Sequence, residues 1–591
     1  MLLSYGNSFH SDWAYDDYPN IITNKNVQIK DFSWDNIKKI HLNPIYSDQL
    51  PRPVAYFSFA VNYYFGGLNV FGYHFINFLV HLFSSIFLFL FIINTLKLPL
   101  LKDKYEKHAY SIALLATIFW AINPVQITAV TLIVQRMASM AGLFYIMSMY
   151  FYLKFRTSFS SFKYVHIFSC LTFAAMAIGT KENAVMLPMS IFLYDLFLIQ
   201  GLTKETVKRN IKIIIVPLIV LTTIVLLSYD FSSIFKQYKT LPFTMEERLL
   251  TESRVILFYI SLLFYPLSSR LVLLHDMEMS KSLLDPWTTL VSIIAILLII
   301  ATSVAKAKKW PLLAYCILFF FLNHVIESSF IPIEPIYEYR NYLPSMLLFI
   351  PLAIGLVHGL EYFSQRKAIF YILLAAIPLI IIVQSVTVYM QNNVMKDALS
   401  LWGDNVKKSP RLYSPHHGLG HALFNAGRWP EALEEYEKAL QCPVSYYFIK
   451  KDMTYRGLGE YYLATNNYDK SIECFKKSII DYQPPSFDTS GAFSRLAYVL
   501  MKKGRLQEAE KMVQEAILLV PLQANYYVIY SEILNKKKQP EDAIKQAKKA
   551  LELDPYSWKA YRNIADAYKL KNNNKLAQHF LQVSNLLTPQ N

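Results

Sequence analysis

The sequence predicts an all-α protein in two parts, a polytopic membrane body followed by a soluble array of helical repeats. Three observations lead there. Apolar runs of membrane-spanning length fill the chain up to residue 391. Lysines and arginines gather in every second loop between those runs. Beyond residue 409, small and aromatic residues return at intervals of 34 to 39, as stacked helical units require. Composition agrees: 54% hydrophobic against 17% charged residues, with a mean hydropathy of +0.26, is a membrane composition diluted by a polar tail. The net charge of +15 would suit a nucleic-acid partner, but loop cations that set topology account for much of it, so no nucleic-acid domain is expected.

The apolar stretches are 72–95, 109–123, 137–153, 164–180, 184–200, 211–229, 286–305, 310–325, 342–360 and 368–390, which makes about ten spans. Lys97, Lys102, Lys104 and Lys107 fill one loop; Lys154, Arg156 and Lys163 another; then Lys204, Lys208, Arg209 and Lys212; then Lys306, Lys308 and Lys309; then Arg366 and Lys367. These loops face the cytoplasm, which places the opposite loops, residues 1–71 and the repeat tail outside. Residues 254–267 are read as an interfacial or re-entrant helix within one long outer segment, 230–285, because a span there would invert every later basic loop. The chain is already in an outer polar segment by Asn7 with no signal peptide before it, so a further helix is expected upstream of Met1. The expected division is therefore 1–71, an outer polar and re-entrant region; 72–391, the membrane domain; 392–408, a linker; and 409–591, the repeats.

In the tail, Ala432, Ser471, Ala509, Ala543 and Ala577 share a register. Sixteen residues before each stands a ring: His416, Tyr455, Phe493, Tyr527, Tyr561. Seven after each is a small residue: Ala439, Ser478, Ala516, Ala550, Ser584. Pro521, Pro555 and Pro589 close the last three units. Five units in this register resemble the tetratricopeptide repeat, whose small residues let paired helices pack and whose proline ends the second helix. Such arrays present a groove to a polypeptide, and His417, Arg456, Arg495, Asn525 and Arg562 are expected on the faces that line it. His417 and His421, four apart, have metal-ligand spacing but no third ligand, so a solvated groove face is the preferred reading. The four cysteines have no metal-type spacing.

The unusual residues of the membrane part lie in the outer segments. Asp16-Asp17 opens the first; Arg136 begins a span; Lys181-Glu182-Asn183 makes a short turn. His275-Asp276 lies in the long segment, and the last outer loop carries Glu327, Glu334, Glu338 and Arg340. Ionisable groups at membrane depth are functional suspects, and acids and bases collected on one side suit a pocket for a lipid phosphate and a nucleophile. The bland readings are that Asp16-Asp17 caps a turn near Pro19 and that Arg136 and Lys181 are snorkelling anchors.

Asp16-Asp17 in the first outer loop resembles the acidic pair of GT-C-type glycosyltransferases that use polyprenyl-phosphate sugars, a group that includes protein O-mannosyltransferases. Further stretches resemble the tetratricopeptide-repeat branch of that group: Arg52-Pro53 to Asn62-Tyr63 with Gly66-Gly67-Leu68-Asn69, Asn123-Pro124-Val125-Gln126 to Gln135-Arg136, Lys181-Glu182-Asn183, and Glu327-Ser328-Ser329 to Tyr342-Leu343-Pro344. The resemblance covers essentially the whole chain and departs from the family at the start, where a helix should precede the acidic pair. It implies transfer of a sugar to a protein Ser or Thr hydroxyl on the extracytoplasmic face, with inversion. It assigns Asp16 as base and Asp17 as its helper or the residue that orients the acceptor. Arg136 first and Lys181 second would stabilise the leaving lipid phosphate. His275, Asp276, Glu327, Glu338 and Arg340 are pocket candidates. The acidic pair alone is too thin a ligand set to require a divalent metal, though some GT-C enzymes use one. The repeats would hold an acceptor protein, and a bacterial cytoplasmic membrane is the expected location. A lipid-linked oligosaccharide ligase or polymerase, or a non-catalytic membrane-tethered scaffold, remain as alternatives.

Overall fold

The computed structural model describes all residues except 41–51, 159, 211–230, 240, 444–446, 448–450, 481–486 and 589–591. The chain divides into two compact units, Met1–Ser409 and Pro410–Asn591. Helix is the only regular structure among the described residues, because apolar segments in lipid must satisfy their own backbone groups. The expected span 211–229, with Lys212, and Pro589 lie outside the described residues.

The first unit is built on α1 (Pro53–Gly66), α2 (Val70–Leu96), α3 (Ala109–Ala121), α4 (Arg136–Thr157), α5 (Lys163–Ile178) and α6 (Glu182–Gln200). They are followed by α7 (Met245–Phe264), α8 (Thr288–Lys306), α9 (Pro311–His324), α10 (Pro344–Tyr362), α11 (Lys367–Val394) and α12 (Ala398–Lys408). Nine of the ten expected stretches coincide with helices, and among the described residues five helices (α2, α6, α8, α10, α11) are long and apolar enough to cross a membrane. A sixth arises if the pair Lys102–Ala121 and Pro124–Thr131, bent by 52°, is one broken span. The other expected stretches that are described stay below that length and hydropathy for physical reasons. α5 and α9 have only 16 and 14 residues, short of the roughly 20 a bilayer needs. α4 is long enough at 22 residues, but Arg136, Lys154 and Arg156 dilute it. On α8 and α11 the apolar side chains point outward, among them Val291, Ile294 and Leu297 and then Ile372, Leu379 and Ile382, which is a lipid-facing surface.

The helix ends sort into two sets. At one end Lys107 pairs with Glu361 (2.5 Å), Lys154 donates to Asn94 (2.7 Å) and Arg156 pairs with Asp195. At the other, Trp120 Nε1 donates to the Tyr342 carbonyl (3.2 Å), and Arg136 meets Tyr73. All the basic loops in these contacts belong to the first end, and the outer candidates belong to the second.

α7 is amphipathic. Thr244 caps it in a reciprocal box with Glu247 (3.2 and 2.8 Å), and five of its first ten residues are charged, so it does not read as a span. Residues 392–408, expected as a linker, are instead the end of α11 plus α12, docked on the first unit. Asp397 caps α12 through Ser400 N–H (2.8 Å), and Leu401 and Trp402 are buried. The side chain of Asn392 donates to Ser4 O (3.0 Å), while Asn405 Oδ1 accepts Leu274 N–H (3.0 Å).

The second unit pairs α13 (Tyr413–Asn425) with α14 (Trp429–Gln441), α15 (Lys451–Ala464) with α16 (Tyr468–Ile480), α17 (Phe487–Lys502) with α18 (Leu506–Leu519), α19 (Ala524–Lys536) with α20 (Pro540–Leu553), and α21 (Trp558–Leu570) with α22 (Asn574–Leu587). All ten small residues of the sequence register are at most 2% exposed, so each marks a closest approach of two helices.

One glycine positions the site directly. A Cβ on Gly142 of α4 would stand 2.8 Å from the Tyr342 ring and 3.0 Å from Met346. The wall of residues 338–347 can therefore lie flush on α4. Gly142→Ala is expected to cost about 1–3 kcal/mol through overpacking, read as a lower unfolding temperature in detergent. An unchanged unfolding curve would show that the wall can move aside.

Candidate functional site

The floor of the candidate site is the segment 122–135, buried throughout and made of short helical turns broken at Asn123 and at Leu132. Asn123-Pro124 breaks α3, since proline offers no N–H and Asn123 Oδ1 caps Val125 N–H (3.1 Å). Buried irregular backbone must find partners, and Asn77 of α2 supplies many of them: its Nδ2 donates to Val130 O, Leu132 O and Ile133 O (3.1–3.4 Å). Its Oδ1 accepts Arg136 Nε–H at 2.6 Å. The rest of the Arg136 guanidinium is taken by Asn62 Oδ1 (2.6 Å), Ser58 O and Oγ (3.3 Å each) and Tyr73 O (2.9 Å), with Phe59 stacked on it at 4.9 Å. Arg136 is 0% exposed, so the sequence assignment as first phosphate ligand is corrected: its donors are spent on α1 and α2.

The acidic pair divides its labour. Asp17 is buried, and both its oxygens accept backbone N–H groups, Oδ2 from Ala14 (2.9 Å) and Oδ1 from Val134 (2.7 Å). Burial raises its carboxyl while these amides and nearby Arg136 oppose the rise. It is a clip between the first segment and the floor, which corrects its expected place beside the base. Asp16 is partly buried, and its carboxylate accepts no hydrogen bond among the described residues. Burial, then the charges of Glu334 and Asp17, push it up to about 7 against the pull of Arg52. The preceding Tyr15 has φ +49°, a left-handed conformation that costs a bulky residue on the order of 1–2 kcal/mol.

Around Asp16 the cations are paired. Lys181 Nζ lies 2.5 Å from Glu327 Oε1 and 5.1 Å from the Tyr339 ring centroid, and Asn183 donates to the other Glu327 oxygen (3.3 Å). Burial would raise the Glu327 carboxyl, but Lys181 and Arg340 outweigh it and hold it low. Arg52 forks onto Glu182 (3.0 and 2.8 Å) with 24% of its side chain exposed. The last outer loop is gripped from both sides. Arg248 donates to the carbonyls of Glu327 (2.7 Å), Ser329 (3.1 Å) and Ile333, and Arg340 to that of Pro335 (2.8 Å). Tyr337 donates to Glu334 (2.5 Å) and stacks on Tyr339. Sequence reasoning did not assign roles to Asn77, Arg52, Glu182, Arg248 or Glu334. An amide inside the apolar run of α2 and the charges in the first half of α7 were the available signals.

Of the remaining candidates, His275 and Glu338 pair with each other (3.1 Å), and Glu338 also accepts Val272 N–H (2.9 Å). They fasten the 271–275 segment, and Asp276 beside them is partly buried. In the repeats, His417 is buried, bonded to Thr454 (2.9 Å) and stacked on Tyr413, and burial lowers it to about 3, which corrects the expectation of a solvated groove histidine. Arg495, paired with Glu460 (2.5 Å), and Asn525 line one cavity of about 530 Å³ with Tyr498, Lys502, Glu532 and Lys559. Arg456 is half-buried and Arg562 exposed. Among the described residues no group of three or more His, Cys, Asp or Glu side chains could hold a metal ion.

Comparison with known proteins follows this division. Residues 411–479 and 494–557 match family profiles described as tetratricopeptide repeat. Protein O-mannosyl-transferase TMTC3 of Homo sapiens is 22% identical over 95% of this chain and 64% of its own length. Protein O-mannosyl-transferase tmtc2 of Xenopus laevis is 28% identical over 34% of this chain and 23% of its own. A solved structure described as YrrB, a TPR protein with an unusual peptide-binding site, is 21% identical over 32% of this chain and 93% of its own, with a TM-score of 0.26. The chain thus spans 64% of the length of the TMTC3 relative. It is a tetratricopeptide-repeat membrane protein, O-mannosyl-transferase-like in sequence across 95% of its length.

Proposed function

We propose that the protein is a membrane glycosyltransferase that moves a sugar from a polyprenyl-phosphate donor to a Ser or Thr hydroxyl of a protein on the extracytoplasmic face. The observation that carries this reading is the Asp16 carboxylate, unengaged among the described residues while the carboxylates and cations around it are paired. An alcohol is a weak nucleophile, so a base must accept its proton as its oxygen attacks the anomeric carbon. Asp16 takes that proton. The bond from the anomeric carbon to the phosphate oxygen breaks, and its electron pair leaves with the lipid phosphate. A single displacement inverts the sugar, in contrast to the two-step route of a paired nucleophile and acid.

The departing phosphate needs cations. Lys181 keeps that role, and Arg52 replaces Arg136 because it is partly exposed and within electrostatic reach of Asp16. Both stand on carboxylates, Glu327 and Glu182, which fix their ends in place and can share them with an incoming anion. The cavity lined by Arg495 and Asn525 is the part of the repeats assigned to the acceptor polypeptide.

The test is intact-mass glycoproteomics of membrane and secreted proteins from cells lacking the gene, rescued with wild type or with Asp16→Asn. A hexose-sized mass restored by wild type alone supports the reading; equal rescue at equal protein level would move the scaffold alternative ahead. With purified protein and a synthetic donor, Asp16→Asn is expected to lose about 10²–10⁴-fold in kcat. Because Asp16 must be ionised to act and its pKa is raised to about 7, wild-type kcat/KM should fall about tenfold per pH unit below neutrality. A flat profile from pH 5 to 8 (roughly the range of interest) would remove Asp16 from the role.

The two arginines are expected to separate. Arg136→Lys loses the fork to Asn77, Asn62 and Tyr73 and should cost at least about 2 kcal/mol of stability, seen as a lower unfolding temperature. Arg52→Gln should fold normally and raise the donor KM at least about tenfold. The reverse pattern would return the phosphate to Arg136.

A further inference from the structure

The mechanism above takes one carboxylate as its base and gives a neighbouring one, Glu334, no role. Its placement is tightly determined. It sits between Ile333 and Pro335, whose carbonyls are held by the buried guanidinium groups of Arg248 and Arg340. Glu334 is 8% exposed, and its Oε2 accepts the Tyr337 hydroxyl at 2.5 Å. Since Tyr337 spends its single O–H on that carboxylate, the 3.0 Å contact between the Tyr337 and Tyr15 hydroxyls is donated by Tyr15. A chain of two phenols therefore runs from Glu334 to the residue immediately before Asp16, and it holds Tyr15 in its left-handed turn.

We propose that Glu334 is a positioning residue of the Asp16 base: the charge it holds opposite Asp16 sets the pH at which Asp16 becomes able to take the acceptor's proton. The groups that face Asp16 are Tyr15 and Asp17 on its own segment, Arg52 ahead of α1, and Glu334, Tyr337 and Tyr339 on the last outer loop. The tyrosines are neutral near pH 7, and Asp17 is committed to backbone amides. Glu334 is thus the neighbour whose charge can be removed without undoing the clip. After burial it is also the largest influence raising the Asp16 carboxyl. A fixed negative neighbour makes Asp16 more basic, and a base serves best when its pKa lies near the working pH. Without Glu334 the Asp16 carboxylate would be ionised at lower pH and would pull less strongly on an alcohol proton.

This inference rests on Asp16 being the base, and its test can fail separately from that reading. The full chain, labelled with carboxyl-¹³C aspartate and held in detergent, is titrated by infrared difference spectroscopy. The band missing in Asp16→Asn identifies the Asp16 carboxyl. Glu334→Gln keeps the shape of the side chain and an oxygen to accept the Tyr337 hydroxyl, so the loop should stay in place. The Asp16 band is then expected to titrate at least about one pH unit lower than in wild type. Glu334→Asp, with its charge drawn back by one methylene, should lie between the two. The acid limb of the transfer rate should move down with the band while the plateau rate falls. A midpoint in Glu334→Gln within about 0.3 unit of wild type overturns the inference even where Asp16→Asn abolishes transfer. A shifted band together with full transfer by Asp16→Asn overturns the base assignment, and the inference falls with it.

Discussion

The geometry of the site depends on one buried contact, the 2.6 Å bond between Arg136 and Asn77. Arg136 begins α4 and Asn77 lies about two turns inside α2, so the bond joins two long helices at the level of the floor. From Asn77 three more bonds run to the carbonyls of Val130, Leu132 and Ile133, and from Arg136 two more residues, Ser58 and Asn62, tie in α1. The floor thereby turns at Leu132, and the Val134 amide is left pointing at Asp17. A guanidinium is the side chain suited to this task, because its planar donors meet several neutral acceptors in fixed directions and it keeps its charge when buried. The charge is costly to bury, and Asp17 lies near enough to offset part of it.

With that frame in place, the polar groups above the floor form a nearly closed set. Lys181 goes with Glu327, Arg52 with Glu182, Arg248 with Glu252 at 2.9 Å, and Asp17 with backbone amides. Buried charges are expected to be paired, since an unpaired one forfeits its hydration for nothing. Asp16 is the group that breaks the pattern. Burial, with the charges of Glu334 and Asp17, raises its carboxyl to about 7. A structural carboxylate would gain from a partner, whereas a base has to keep its lone pairs available until the substrate arrives.

Sequence patterns read the large features because those features repeat. The ten small positions of the tail recur in register five times, and each is buried. The basic loops recur with every second apolar run, and the contacts of Lys107, Lys154 and Arg156 lie at one set of helix ends. The short stretches quoted for the family resemblance are in contact with one another: Arg52 with Glu182, Asn62 with Arg136, Lys181 with Glu327, and Gln126 with Ser345 at 3.1 Å. What the pattern could not convey is direction. Arg136 and Arg52 look alike as cations in the sequence, and only packing turns the first inward to α1 and α2 and leaves the second partly open. His417 was assigned to a groove by its helical position, yet Thr454 and Tyr413 enclose it. Apolar runs likewise do not convey helix length: α5 and α9 have 16 and 14 residues, shorter than the stretches that mark them.

The same reasoning explains why so much irregular chain can sit at the level of the helix ends. An unregulated backbone facing lipid would leave amides without partners, which a bilayer does not tolerate. Here the broken turns of the floor at 122–135 are buried, as is most of the last loop from 331 to 341, and named side chains take up their carbonyls: Asn77 for the floor, and Arg248 and Arg340 for the loop. Such a backbone does not relax when a charge develops beside it, because its dipoles are already bonded in place. A site made this way can stabilise a departing phosphate without reorganising, which is where electrostatic catalysis obtains most of its advantage over water. In the proposed reaction the three arginines at positions 136, 248 and 340 would serve by holding the walls still, and Asp16, Lys181 and Arg52 would be the groups left to meet the substrates.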